Sequence, residues 1–164
     1  MQKIQAIHIF DFDGTLVDSS HRYRTDATGQ AIDLQFWIDN ENLAYLDKPI
    51  EKVCNLFRSL CDSVSDYALI ATARIWCEGA NSVIRNANIK PNSLVARRDR
   101  NDNRGGAELK IAHVNRLLNL KQFSQVTEIH VYEDNLTYLK KISDFYYQRG
   151  YIVKGHYYPS NQGF

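Results

Sequence analysis

Short apolar runs alternate along this chain with segments of helical periodicity, and that alternation constrains the fold more than any other feature. Residues 4–10 (IQAIHIF), 67–72 (YALIAT), 93–96 and 127–132 (TEIHVY) read as strands, and 151–157 as a last one. Between them, 49–61, 75–87, 107–120 and the stretch from Asn135 to Gly150 read as helices. Pro49 is placed in the first turn of its helix, with Val53, Leu56, Phe57 and Leu60 on one face. In the third helix Leu109, Ile111, Val114, Leu117 and Leu118 form a broad apolar face. Asn135 suits an N-cap and Gly150 a C-terminal stop. Strands alternating with helices predict an α/β fold, a Rossmann-like three-layer sandwich with a mostly parallel sheet. The 164 residues suit a single domain, 1–164, with a small cap-like insertion after the first strand at about 18–48. The insertion carries a short helix around 33–44; the bland alternative is a plain surface loop.

In parallel sheets of this kind, ligands bind beyond the carboxyl ends of the strands. Asp11 and Asp13 follow the first strand, Thr72 and Arg74 the second, Arg97 to Arg104 the third, and Glu133 and Asp134 the fourth. Carboxylates, a hydroxyl and cations therefore converge on one rim. The run Ile9-Phe10-Asp11-Phe12-Asp13-Gly14-Thr15-Leu16 is the most informative. Its Gly-Thr turn offers backbone N–H groups to phosphate oxygens. One carboxylate can attack phosphorus and the other can move a proton to the leaving oxygen. Two carboxylates repel a phosphate dianion unless a cation intervenes, and Mg²⁺ suits an all-oxygen site. The spacing does not match a calcium-binding EF-hand loop.

DFDGTL after a strand resembles the first motif of the haloacid dehalogenase (HAD) superfamily of phosphohydrolases. The resemblance implies a HAD-like fold, with Asp11 as nucleophile and Asp13 as general acid and base. The second Asp favours phosphoryl transfer over dehalogenation. It implies Thr72, in Leu69-Ile70-Ala71-Thr72, as the hydroxyl that binds the phosphoryl group. It implies Lys110, with Lys121 as a weaker candidate, as the cation that neutralises the phosphoryl group and the aspartates. Gly14 and Thr15 would hold phosphoryl oxygens. Mg²⁺ would sit among Asp11, the Asp13 carbonyl, and Glu133 or Asp134. Glu133-Asp134 departs from the family's usual Asp pair, and leaves open which of the two touches the ion.

A narrower resemblance is to the 3′-phosphatase domain of bacteriophage polynucleotide kinase-phosphatases. It rests on Arg22, eleven residues after Asp11, on Arg74 after the second motif, and on Asp102-Asn103-Arg104 ahead of Lys110. It implies Arg22, Arg74 and Arg104 as substrate-binding residues, since guanidinium forks suit phosphate. Tyr23, Phe36 and Trp37 either stack on a nucleobase or pack the insertion onto the core. The chain has no GxxxxGK[ST] run, so kinase activity is not expected.

The expected activity is a Mg²⁺-dependent phosphatase acting through an aspartyl-phosphate on polynucleotide 3′-phosphate ends or nucleotide phosphates. The alternatives are a sugar or other metabolite phosphate, or a weakly active HAD module that binds phosphorylated partners or nucleic acid. The partner is thus a phosphorylated small molecule or a nucleic acid end. Lys and Arg number 20 against 19 Asp and Glu, a net charge of +1, which excludes binding to nucleic acid by bulk charge alone. No stretch approaches the roughly 18 apolar residues of a membrane span. Three cysteines without a CxxC pair fit a reducing compartment, and the expected location is the cytoplasm. His8 and His130 alternate with strand apolars and read as structural.

Overall fold

The computed structural model describes residues 3–29 and 32–159. Its elements in chain order are β1 (Ala6–Phe10), β2 (Val17–Asp18), α1 (Leu34–Asp39), β3 (Lys48–Pro49), α2 (Glu51–Cys61), β4 (Asp66–Ile75), α3 (Glu78–Asn86), β5 (Ser93–Arg97), α4 (Gly106–Leu118), β6 (Glu128–Glu133), α5 (Leu136–Tyr147) and β7 (Ile152–Tyr157). Short 3₁₀ turns occupy Ser20–Arg22, Glu41–Leu46 and Lys121–Phe123.

Five strands form one sheet in the order β5-β4-β1-β6-β7. Every neighbouring pair in it is parallel. All five residues of β1 are buried, as the central strand of a sheet covered on both faces requires. Its side chains alternate between two cores. Ile7 and Ile9 meet Ala107, Ile111 and Val114 of α4 and Ile142 of α5. Phe10 meets Val53 and Phe57 of α2 and Val83 of α3 on the other face. The result is the expected three-layer sandwich.

β1 leads to β4 on one side, whereas β6 leads to β7 on the other. The crevice that this divergence opens lies at the carboxyl ends of β1 and β6, where Asp11 and Glu133 stand. The register carries Phe10 beside Ile70 and Tyr132, so these ends are level.

Three local readings need correction. Pro49 belongs to β3, two residues ahead of α2. Leu56 is exposed on α2, and Cys54 takes the buried place beside Val53 and Phe57. Thr72 and Arg74 do not follow their strand; β4 continues to Ile75, with an irregularity in pairing to β5 between Ala71 and Ile75. Polar residues at a site-facing strand end concealed that continuation.

β2 pairs antiparallel with β3, matching Val17 to Pro49 and Asp18 to Lys48. Residues between them leave the sheet and return at one place. Within that excursion Asp33 caps α1 by accepting from the Phe36 N–H at 3.0 Å. The Ala44–Tyr45 backbone lies directly on α3. A Cβ on Gly79 would stand 2.8 Å from Tyr45 N and 3.0 Å from Ala44 Cβ, closer than packed atoms allow.

Candidate active site

Asp11 emerges from β1 with its N–H donating to the Tyr132 carbonyl at 2.9 Å, which ties the β1 exit to β6. Its Oδ1 accepts from Lys110 Nζ at 2.6 Å. The same ammonium donates to Glu133 Oε2 at 2.5 Å. Lys110 comes from α4 and is buried. Burial pushes the Asp11 carboxyl up to about 8, and the Glu133 charge adds to this, while Lys110 opposes it. Burial also raises Glu133, against the pull of Lys110. Burial alone would discharge Lys110, but Asp11 and Glu133 hold it protonated, above its usual range.

Asp11, Glu133 and Asp134 each bring one carboxylate oxygen within 4.8 Å of the others, and all three residues are buried. Counted as ionised, three carboxylates and one ammonium leave a formal charge of −2 among buried groups. Hard oxygen donors with an excess of two negative charges fit a divalent ion such as Mg²⁺. The Asp13 carboxylate stands apart from this cluster. Its Oδ1 accepts from Ser19 Oγ at 3.1 Å, Arg22 Nη2 at 3.0 Å and Arg74 Nη1 at 3.1 Å.

A cavity of about 540 Å³ opens over these groups. Asp11, Asp13, Thr72, Glu133 and Asp134 form its acidic and hydroxylic wall. The insertion supplies a second wall from Tyr23, Ile32, Leu34, Trp37 and Ile38. Arg97, Arg100 and Arg104 supply a third. The volume is that of a small-molecule site.

Thr72 is buried at this rim, where its Oγ1 accepts the Arg74 N–H at 3.3 Å. Arg74 lines the cavity while contacting Asp13. Arg104 lines it too, with its fork on Asp102 at 2.8 and 2.6 Å. That fork holds the Asp102 carboxyl well below the usual range. Arg97 is spent on carbonyls, donating to Ala73 at 2.8 Å, to Asp102, and to Arg104 at 2.9 Å. It fastens the 98–105 loop to β4.

Several expected site residues do not reach the cavity. Gly14 donates its N–H to the Val17 carbonyl at 2.8 Å and Thr15 to that of Phe12 at 3.4 Å. Both N–H groups close the turn, so neither is directed at a ligand. The N–H groups of Phe12 and Asp13 have no acceptor among the described residues, and these are the donors the turn leaves open. Lys110 touches the carboxylates from beneath and does not line the cavity. Arg22 is fully buried; its Nε and Nη2 grip Asp47 at 2.8 and 2.7 Å. Burial works against its charge, yet Asp47 and Asp13 hold its pKa above the ordinary value. Phe36 packs under Arg24, with the guanidinium 4.1 Å from its ring, and leaves Tyr23 and Trp37 as the insertion's aromatic lining, with Tyr138 of α5 lining the cavity as well.

Asp47 escaped the sequence reading. Nothing adjacent marks it, and only the need of two buried arginines for counter-charge points to such a residue. His8 is structural as expected, joined to Asp66 Oδ1 at 2.9 Å and the Tyr132 hydroxyl at 3.1 Å. Among the described residues no helix is long and apolar enough to cross a membrane.

No family model matches the chain, and no curated protein does. Solved structures do. The HAD domain of effector protein Lem4 from Legionella pneumophila superposes with a TM-score of 0.66 at 15% identity, over 99% of this chain and 90% of that one. A chain of the Pnkp1/Rnl/Hen1 RNA repair complex superposes with a TM-score of 0.62 at 16% identity, over 96% of this chain. The present chain spans only 44% of the length of that one. At such identities the likeness is one of backbone architecture alone: the chain has the HAD-like fold.

Proposed function

We propose that this chain is a Mg²⁺-dependent phosphatase that works through an aspartyl-phosphate on Asp11. The observation that supports it most is the division of labour between two aspartates at one cavity. Asp11 has one oxygen on Lys110 and a second available for attack. Asp13 has one oxygen fixed by three donors and a second without a hydrogen bond among the described residues. In the first step an Asp11 oxygen bonds to phosphorus while the bond to the leaving oxygen breaks. The electron pair stays with that oxygen, which takes a proton from Asp13. In the second, water attacks phosphorus, Asp13 removes its proton, and the Asp11–phosphorus bond breaks.

Mg²⁺ held by Asp11, Glu133 and Asp134, with the Asp13 carbonyl, would supply charge neutralisation. Thr72 and the Phe12 and Asp13 N–H groups would bind phosphoryl oxygens. Lys110 keeps Asp11 and Glu133 in place.

The substrate we favour is a polynucleotide 3′-phosphate end or a nucleotide phosphate. Arg74, Arg100 and Arg104 offer guanidinium groups at the cavity, and Tyr23 and Trp37 offer ring faces. One superposed structure is a chain of an RNA repair complex. The catalytic unit is taken as residues 1–164, with 18–48 as a small cap, acting in the cytoplasm. The test compares kcat/KM for a 3′-phosphorylated oligonucleotide, its 5′-phosphorylated counterpart, nucleoside monophosphates and sugar phosphates, with and without Mg²⁺. A preference for the first or third substrate, lost with EDTA, is expected. Equal or faster turnover of sugar phosphates would reject the substrate assignment, and turnover in EDTA would reject the metal.

A further inference from the structure

Behind the Asp13 carboxylate, two arginines and one further aspartate form a buried cluster, of which only Arg74 borders the cavity. Asp47 and Arg22 have fully buried side chains, and that of Arg74 is 2% exposed. Arg22 binds both oxygens of Asp47 and reaches Asp13 Oδ1 with the same Nη2, at 3.0 Å. Arg74 Nη1 stands 3.1 Å from Asp13 Oδ1 and 3.5 Å from Asp47 Oδ2. Both guanidiniums are under-satisfied: Arg22 Nη1 and Arg74 Nε are buried without a partner among the described residues. Trp37, which lines the cavity, lies 3.9 Å over the Arg22 guanidinium, which does not.

Two cations packed against one carboxylate repel each other, and in a dry interior that repulsion is large. Asp13 alone cannot hold both. Asp47 supplies the second negative charge and the bidentate geometry that sets the plane of Arg22. It also belongs to another piece of chain. It closes the 3₁₀ turn Glu41–Leu46 and leads straight into β3, at the base of the insertion. Asp13 belongs to the loop after β1. The group that we assign to proton transfer is therefore oriented from the insertion.

We propose that Asp47 is a positioning residue: through Arg22 and Arg74 it fixes Asp13 Oδ1, so that the other oxygen faces the cavity for proton transfer. This rests on the reading of Asp13 as the proton donor given above. A positioned donor matters in proportion to how badly the leaving oxygen needs a proton. Aryl esters with acidic leaving groups depart without much help, whereas alkyl esters do not.

The test is Asp47→Asn, which keeps the shape, removes the charge and turns an amide toward a guanidinium. Its kcat and KM would be measured with Mg²⁺ on phosphate monoesters from p-nitrophenyl phosphate to an alkyl phosphate. The expected result is a fall in kcat on the order of 10²-fold for the alkyl ester and less than about tenfold for the aryl ester, with KM little changed. An equal fall across the series, or none, overturns the proposal. If this variant does not fold, Arg22→Gln combined with Asp47→Asn removes one charge of each sign and must show the same split. A wild-type chain that hydrolyses none of the esters refutes the phosphatase reading, and Asp47 is then judged by crystallography. Asp13 Oδ1 displaced from Arg74 Nη1 in the variant supports positioning; Oδ1 still bonded there overturns it.

Discussion

The Lys110 ammonium stands 2.6 Å from the Asp11 carboxylate, yet only Asp11 of the two lines the cavity. The cation thus works on the carboxylates from behind, where Glu133 shares it at 2.5 Å. Its charge and its two acceptors are all buried.

Removing that charge while keeping the volume, as in Lys110→Met, strands two carboxylates in the interior. The expected cost is about 3–5 kcal/mol, typical of breaking a buried ion pair from one side. Turnover should fall by roughly 10²–10³, because Asp11 loses its fixed orientation. Urea unfolding gives the first number and steady-state kinetics the second. A variant within about 1 kcal/mol of wild type would show that the carboxylates relax by protonation or hydration instead.

The same charge imbalance favours the binding of a divalent ion. With Asp11, Glu133 and Asp134 crowded together and one ammonium between the first two, a divalent ion should raise the melting temperature of the wild type. At a hundredfold excess over Kd the gain is about 2.7 kcal/mol. Asp11→Asn removes one of the crowded charges. It should therefore melt higher than wild type in EDTA, gain less from Mg²⁺, and have no phosphatase turnover. Calorimetry with and without the ion checks the first two, and hydrolysis of an aryl phosphate the third. Retained hydrolysis would end the assignment of Asp11 as nucleophile.

Gly79 is where the insertion rests on the body. Its absent Cβ leaves room for the Tyr45 amide, which a methyl would meet at 2.8 Å. The obstacle is backbone, so a side chain rotation cannot relieve it. Gly79→Ala should cost about 1–3 kcal/mol by overpacking. The strain falls two residues from Asp47, so the insertion should also open to proteolysis between β2 and β3 faster than in wild type. Limited digestion with mapping of the cut sites reads this directly. Cleavage unchanged in rate and position would mean that α3 shifts and the insertion stays seated.

What was legible in the sequence was local in origin. The apolar run of β1 stops where Asp11 begins, because a charge ends an apolar strand. Asn135 caps α5 by accepting from the Tyr138 N–H at 3.0 Å, and Gly150 takes the positive φ its stop requires. The rim of strand ends followed from the parallel sheet. What was hidden depended on partners far along the chain. Arg22 looked like a phosphate ligand until Asp47, 25 residues on, claimed its fork. Gly14 and Thr15 looked like an open nest until Val17 and Phe12 took their N–H groups. Phe36 and Trp37 are neighbours in α1, and only packing decides that Trp37 faces the cavity.

Two histidines of the sheet, His8 on β1 and His156 on β7, weaken the fold toward acid pH. His8 is held between Asp66 and Tyr132, and its ring centroid lies 4.3 Å from that of His130. Burial lowers the His8 pKa, Asp66 opposes this, and His130 adds to it. Burial likewise lowers His156, with His130 and Lys154 in support. Both groups are thus less basic folded than unfolded, where the value is about 6.5. Below that value the unfolded chain gains protons that the folded one resists. The contribution of these two histidines is therefore full above about pH 6.5 and declines as the pH falls through their folded values. His8→Gln removes one titrating ring while keeping a polar group opposite Asp66. It should flatten the decline in melting temperature between pH 7 and pH 5, at some cost in stability at pH 7. Melting curves across that range decide it: an acid limb as steep in His8→Gln as in wild type would place the proton uptake elsewhere.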